Sequence, residues 1–396
     1  MEGNIVKKQN NKLSADAPVA SRGHKQIVRQ RAGVDTPFLV IVIVLLCLGT
    51  IAIFSASYAY AQKYLGDTYY YLKNQLMFVG LGLVLMFFVS RIDYLLIKRF
   101  AYVIFAVVMV MMIATAIPGV GTVHHGARRW LEIGPISFQP SELCKLALVI
   151  VFSRYFVDYE VKAQKFSYGI LIPGIVIVSI AIIMFEQSHL SGLIILTLIC
   201  VFMMFIGGSS VKWLLGLGVT GVGAIVAFFL SGAGYRVARI QAWIDPWAYA
   251  KDEGWQTIQS LYAISQGGLF GNGIGESMQK NLYLPEPQND FIFSIWCEEL
   301  GFVGAMIVIL LFALFAYRGI LIAMRCTNKF ASFMVLGIVI KVVLQALLNI
   351  AVVTNTLPNT GISLPFFSYG GTSLLFLMIE MGIVLSVSRY SYLEKG

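Results

Sequence analysis

The sequence predicts an all-α polytopic membrane protein, with about ten transmembrane helices in one bundle. Both termini are expected in the cytoplasm, and a large extracytoplasmic loop between helices 7 and 8. Three observations predict this. Hydrophobic residues make up 58% of the 396 residues, charged residues only 12%, and mean hydropathy is +0.79; a soluble domain carries roughly twice that charge fraction. Apolar runs long enough to cross about 30 Å of hydrocarbon recur along the whole chain. Lysine and arginine, finally, are distributed unevenly between the segments that join those runs.

Taken in order, residues 1–36 form a basic tail with seven Lys/Arg. It is expected to be disordered and able to touch anionic lipid. It precedes an uncleaved first span and does not read as a signal peptide. Apolar runs follow at 37–57, 74–90, 99–117, 142–157, 168–185, 189–206, 211–231, 291–316, 331–353 and 365–388. Residues 37–388 make one membrane domain, and 389–396 a short cytoplasmic tail. Only "EQSH" separates the fifth run from the sixth. With an even number of spans, nineteen Lys/Arg fall on the side of the termini and eight on the other, while Lys145 and Lys341 lie inside spans. That bias places the termini in the cytoplasm. It also accounts for the formal charge of +9 without a nucleic-acid partner. The five cysteines show no metal spacing or pairing pattern and read as buried thiols.

Most connections are short, which packs neighbouring helices side by side. Residues 118–141 and the large loop 232–290 are the exceptions, both on the external face, so function is expected there. The glycines of "LFGNGIGES" do not follow a strand and cannot build a dinucleotide site. They suit tight turns in a loop packed against the bundle.

Charges inside a bilayer cost on the order of 2.5–3.5 kcal/mol each, so each asks for a reason. In "QPSELCKL", Glu142 and Lys145 stand three apart on one helix face. An ion pair facing the bundle interior and a polar cavity for a charged substrate both fit. "GARRWLEIG" offers Arg128 and Arg129 near the outer interface, suited to phosphate or pyrophosphate. Lys341, Gln345 and Asn349 share one face of the ninth span, for interhelical hydrogen bonds or substrate contact. "NTLPNTGISLPFFSYGGTS", which includes Ser368, is irregular backbone that must border protein or a wet cavity. In "YRVARIQAWIDPWAY", Arg236 and Arg239 suit either the membrane surface or an anionic headgroup. Four carboxylates, Glu286, Asp290, Glu298 and Glu299, crowd the start of the eighth span within fourteen residues. Asp290 could cap that helix or, half-desolvated, act as a general base.

The motifs "FSAS", "GARRWLEIGPISFQPSELCKL", "YRVARIQAWIDPWAY", "GWQTIQSLYAISQGGLFGNGIGESMQK", "YLPEPQNDFIFSIWCEELG" and "NTGISLPFFSYGGTSL" occur in this order. Through them the chain resembles the SEDS family (shape, elongation, division and sporulation proteins), nearest to its division and sporulation branch. The resemblance implies a peptidoglycan glycosyltransferase that polymerises lipid II at the outer face of the bacterial cytoplasmic membrane, at the division septum or forespore. A class B penicillin-binding protein is the implied partner, beside other division or sporulation membrane proteins. It implies that Asp290 deprotonates the acceptor hydroxyl in an inverting reaction. Glu142 and Lys145 become the buried acid–base pair, and Arg129, Lys145 and Lys280 stabilise phosphate charge. Arg236, Arg239, Gln345, Asn349 and Ser368 are the remaining substrate-binding candidates. A divalent cation, Mg or Mn, could assist, with no clear ligand set. The family often has His-Thr where this chain has Gln288 and Asn289, and a proline is missing from "EQSHLSG", which leaves residues 186–189 without an assigned role. Lipid II flipping is the alternative function, and a scaffold that recruits a partner a third.

Overall fold

The computed structural model describes residues 33–390 apart from 125–126, 135, 188, 231–240 and 252–253. A helix occupies each of the ten apolar runs: α1 Thr36–Leu65, α2 Tyr70–Val89, α3 Tyr94–Ala116, α4 Pro140–Asp158, α5 Ile172–Glu186, α6 Leu190–Ile206 and α7 Val211–Leu230. After the large loop, which contains α8 (Trp255–Gly267), come α9 Ile292–Met324, α10 Lys329–Val353 and α11 Gly371–Ser388. Seven of the ten are long and apolar enough to cross a membrane by length and composition. The local chemistry of their ends is conventional. Asp35 and Asn328 cap α1 and α10 by accepting from backbone N–H groups two or three residues on, and Pro140 opens α4.

The expectation of an all-α chain needs one correction. Residues 121–138, read as a loop, form a three-stranded antiparallel sheet in the order β1 (Gly121–His124), β2 (Ala127–Ile133), β3 (Ile136–Phe138). Thr122, Val123, Trp130, Ile133 and Phe138 are residues that favour strands. Strands of three to seven residues are too short for an alternating pattern to stand out. Pairing passes from Thr122 opposite Trp130 to Val123 opposite Arg128, so Arg129 is the extra residue of a β-bulge.

α4 is the most enclosed helix, packed against α3, α6 and α10, while α2 lies along α11. One end of the bundle gathers the two ends of the described chain. The backbone N–H of Asp35 donates to Ser388 Oγ, and Arg318 donates to both Asp35 oxygens at 2.9 and 2.8 Å. Lys329 pairs with Glu160, and Arg154 donates to the carbonyl of Lys98, at that same end. The sheet, the described part of the large loop from residue 254 to 290 and residues 355–370 lie at the other end.

α9 is broken, which its apolar run did not reveal. Gly301 sits at φ 66°, ψ −163°, outside helical space. The freed carbonyls of Glu298 and Glu299 accept from the backbone of Asn272 and Gly273, and the N–H groups of Phe302 and Val303 donate to Gly268 and Leu269. The loop thus inserts into the helix and replaces the lost ladder bond for bond. Glycine is required on both sides: a Cβ on Gly301 would stand 2.4 Å from the Gly271 nitrogen, and one on Gly271, itself at φ 82°, 2.1 Å from the Glu299 carbonyl oxygen.

Candidate active site

Asp290 lies just before α9. The N-cap of that helix is Phe291, with no side-chain cap, so Asp290 does not serve as the cap that its position invites. Its backbone is clamped instead. Asn349 Nδ2 donates to the carbonyls of Asp290 and Ile362, each at 2.7 Å. Ser368 Oγ donates to the Asn289 carbonyl at 2.7 Å, and the Tyr369 N–H to that of Gln288 at 2.9 Å. Asn289 Nδ2 in turn holds Glu286 Oε2 at 2.7 Å, on a residue with a left-handed φ of 44°. The segment 286–290 is therefore fixed by α10 and the 361–369 loop.

Its carboxylate is left facing a cleft of about 940 Å³. Among the described residues no group hydrogen-bonds it, and Gly361 (φ 69°) passes so close that a Cβ there would stand 3.2 Å from Oδ2. Burial and the neighbouring Glu286 charge raise its pKa to about 6, against an opposing pull from Arg129.

Across the cleft, the bulge at Arg129 brings this residue to the wall. Its neighbour Arg128 turns away to the Ala116 carbonyl. The floor is the first turn of α4. Lys145 donates to Glu142 at 2.7 Å and to Gln345 Oε1 at 3.1 Å; Gln345 donates to Ser363, and Ser373 to the other Glu142 oxygen. So α4, α10 and α11 jointly hold an ammonium under the cleft. Lys145 is only 4% exposed, and its fixed partners keep it in place. His189, at the start of α6, also lines the cleft beside Gln139.

The expected residues thus divide. Asp290, Arg129, Glu142, Lys145 and Gln345 meet around one cleft. Asn349 and Ser368 act behind it, on the backbone that carries Asp290. Lys280, expected at phosphate, stands apart from the cleft. It is fully buried between α1 and α9, 2.6 Å from Glu299, which also accepts from Ser55, and over the Tyr58 ring. Glu298 ties the loop to α9 through Ser277 and the Met278 N–H. Arg236 and Arg239 lie outside the described residues. Lys341 is paired with Glu380 at 2.8 Å below Gln345.

Sequence reasoning missed Glu380, although a lone carboxylate in an apolar run demands a partner. It also gave no role to Glu286, His189, Ser363 or Ser373, which only the tertiary fold brings to the cleft. No group of three or more His, Cys, Asp or Glu able to hold a metal ion occurs among the described residues.

A helical bundle with membrane-spanning helices and a polar cleft at one end, lined by Asp290, Arg129 and Lys145, defines a polytopic membrane protein with a charged site. The family model described as "Cell cycle protein" (FtsW/RodA/SpoVE) matches residues 36–393, and the chain belongs to that family. It is 39% identical over 359 residues to "Stage V sporulation protein E" of Bacillus subtilis, covering 90% of this chain and 97% of that protein. It is 35% identical over 362 residues to "Probable peptidoglycan glycosyltransferase FtsW" of Geobacter sp. strain M18, covering 91% and 98%. Among solved structures, a chain from "Structural coordination of polymerization and crosslinking by a peptidoglycan synthase complex" superposes with TM-score 0.75 at 25% identity, covering 91% of this chain and 98% of that one. The rod shape determining protein RodA of Thermus thermophilus shares the fold, with TM-score 0.68 at 24% identity, covering 91% and 98%.

Proposed function

We infer that this chain is a peptidoglycan glycosyltransferase that polymerises lipid II at the outer face of the bacterial cytoplasmic membrane. The observation that carries this is Asp290: a carboxylate without a hydrogen-bond partner among the described residues, at the wall of a cleft whose other groups include Arg129 and Lys145. Asp290 takes the proton of the acceptor's GlcNAc 4-hydroxyl. That oxygen forms a bond to the anomeric carbon of the growing strand as the bond to undecaprenyl pyrophosphate breaks, with inversion. The pyrophosphate leaves unprotonated, so one acid–base group suffices. Arg129 and Lys145 stabilise the charge that develops on it. Glu142 and Gln345 position Lys145 for this. The name of the Geobacter relative supports the activity, and the complex of the structural relative supports a class B penicillin-binding protein as partner. The division and sporulation names of the relatives support action at the septum or forespore. Ten membrane crossings with cytoplasmic termini complete the reading.

Lipid II flipping draws on the polar side chains that run from the cleft down to the Lys341–Glu380 pair. The cavity beneath the cleft is only about 40 Å³, however, far below what a headgroup needs. The deciding experiment is Asp290→Asn in proteoliposomes fed lipid II, beside a partner penicillin-binding protein that lacks its own transferase. Loss of general-base catalysis should slow polymer formation by about 10²–10⁴-fold. Undiminished polymer would remove Asp290 from this role, and translocation without polymer in the unsubstituted protein would favour the flippase.

A further inference from the structure

Five tyrosines run ring to ring from the cleft to its outer lip. Tyr70 and Tyr369 line the cleft. Tyr71 meets Tyr70 and Tyr369 edge-on, with centroids 5.4 and 4.8 Å apart. Tyr60 lies 6.3 Å from Tyr71 and 4.6 Å from Tyr64, whose ring is 59% exposed. These rings come from the end of α1, the start of α2 and the segment before α11, so the fold rather than one helix assembles the stripe.

Beyond Lys73, which pairs with Asp67, the exposed side chains of α2 are Leu, Met, Val and Phe, as lipid contact demands. At the lip the composition changes to tyrosine, an apolar face with a hydroxyl at its edge. An aromatic belt at a membrane interface would supply separate anchors around the perimeter. Here the rings touch one another and lead into the cleft. Glu286 lies within electrostatic reach of both Tyr60 and Tyr71, which disfavours a phosphate headgroup on them.

The geometry points to a carbohydrate platform: a chain of N-acetylated hexoses leaving the cleft lies over Tyr71, Tyr60 and Tyr64. A pyranose ring presents C–H groups on its faces, which stack on aromatic rings and match this stripe better than a leucine one. Tyrosine rings have few rotatable bonds, so little conformational entropy is lost on contact. Lys63 Nζ stands over the Tyr64 ring, 5.4 Å from its centroid, so the sugars stack on Tyr71, Tyr60 and the other face of Tyr64, and stacking alone lets the strand slide as units are added. This inference rests on the glycosyltransferase reading, and it assigns a surface that the chemistry itself does not use.

The test is binding of a chitin-derived GlcNAc hexamer to the full chain in nanodiscs, followed by saturation-transfer NMR, with polymer length from lipid II measured in parallel. The hexamer should bind the unsubstituted protein and Asp290→Asn alike, because binding needs no catalysis. Tyr60→Ala/Tyr64→Ala should weaken it by at least about fivefold and shorten the polymer, while Tyr60→Phe/Tyr64→Phe stays within about twofold. The Phe pair keeps the rings and controls for folding. Absent binding, or equal binding by the Ala pair, overturns the platform even where polymer is made. A chain that makes no polymer at all instead overturns the enzymatic reading.

Discussion

Asp290 holds its proton to a pH near 6 because its surroundings are dry on the protein side and Glu286 is close, while Arg129 recovers part of the charged form. A general base must be ionised, so the rate should fall as pH drops through about 6. Removing the nearby negative charge with Glu286→Gln should move that acid limb to lower pH, whereas Arg129→Met should move it higher and also reduce the maximal rate. Initial polymerisation rates between pH 4.5 and 8 would show this, and an acid limb that ignores both substitutions would sever it from Asp290. The same shift has a stability consequence. The folded carboxyl titrates above its unfolded value, so folding favours the protonated form and stability declines as pH rises from about 4 to about 6. At neutral pH Asp290→Asn should therefore unfold at the same or a higher temperature, the usual trade at a functional site.

At the scale of elements, the weight of the site falls on a junction. The inserted loop, the break at Gly301 and the Lys280–Glu299–Ser55 cluster hold α1, α9 and the loop together behind Asp290. Lys280→Met should cost on the order of 3–5 kcal/mol by leaving the Glu299 charge buried without a counter-ion, and the double change Lys280→Met/Glu299→Met should cost less than the single one. Thermal unfolding in detergent checks the order. A single variant that unfolds normally yet binds lipid II poorly would return Lys280 to the substrate. The family resemblance offered Lys280 for phosphate charge, whereas the fold pairs it with Glu299. Spacing says nothing of the partner on α1, Ser55, which is far away in the chain. The helices themselves were legible, since an apolar run long enough to span has few alternatives. Glu142 and Lys145 were legible too, because three residues along a helix fix their meeting. The sheet was not, since short strands carry no period. Nor were Asn349 and Ser368 as backbone clamps, because a hydroxyl or amide on a helix face gives no sign of whether it will meet a substrate or a carbonyl.

For the whole molecule, orientation follows from which loops share an end. Asp35, Arg318 and Ser388 are joined directly, as are Lys329 with Glu160 and Arg154 with Lys98, so residues near 35, 98, 160, 318–329 and 388 lie together. These are the segments in which Lys and Arg are dense. The cleft, the sheet and the tyrosine stripe are at the opposite end, among loops with fewer cations. Cation-dense ends are as a rule retained in the cytoplasm, so on the proposed function the cleft should open outward, where a lipid-linked sugar can be joined to a strand that never re-enters the cell. Single cysteines in a background that lacks the native five decide this. Lys162→Cys, between α4 and α5, should resist a membrane-impermeant maleimide in intact cells and react after permeabilisation. Asn272 is packed into the α9 break and would confuse folding with access, so Met278→Cys, 59% exposed in the same loop, is the better external probe. It should react in intact cells. The reverse pattern would place Asp290 in the cytoplasm, where no acceptor strand exists, and would end the glycosyltransferase mechanism however well the cleft fits it.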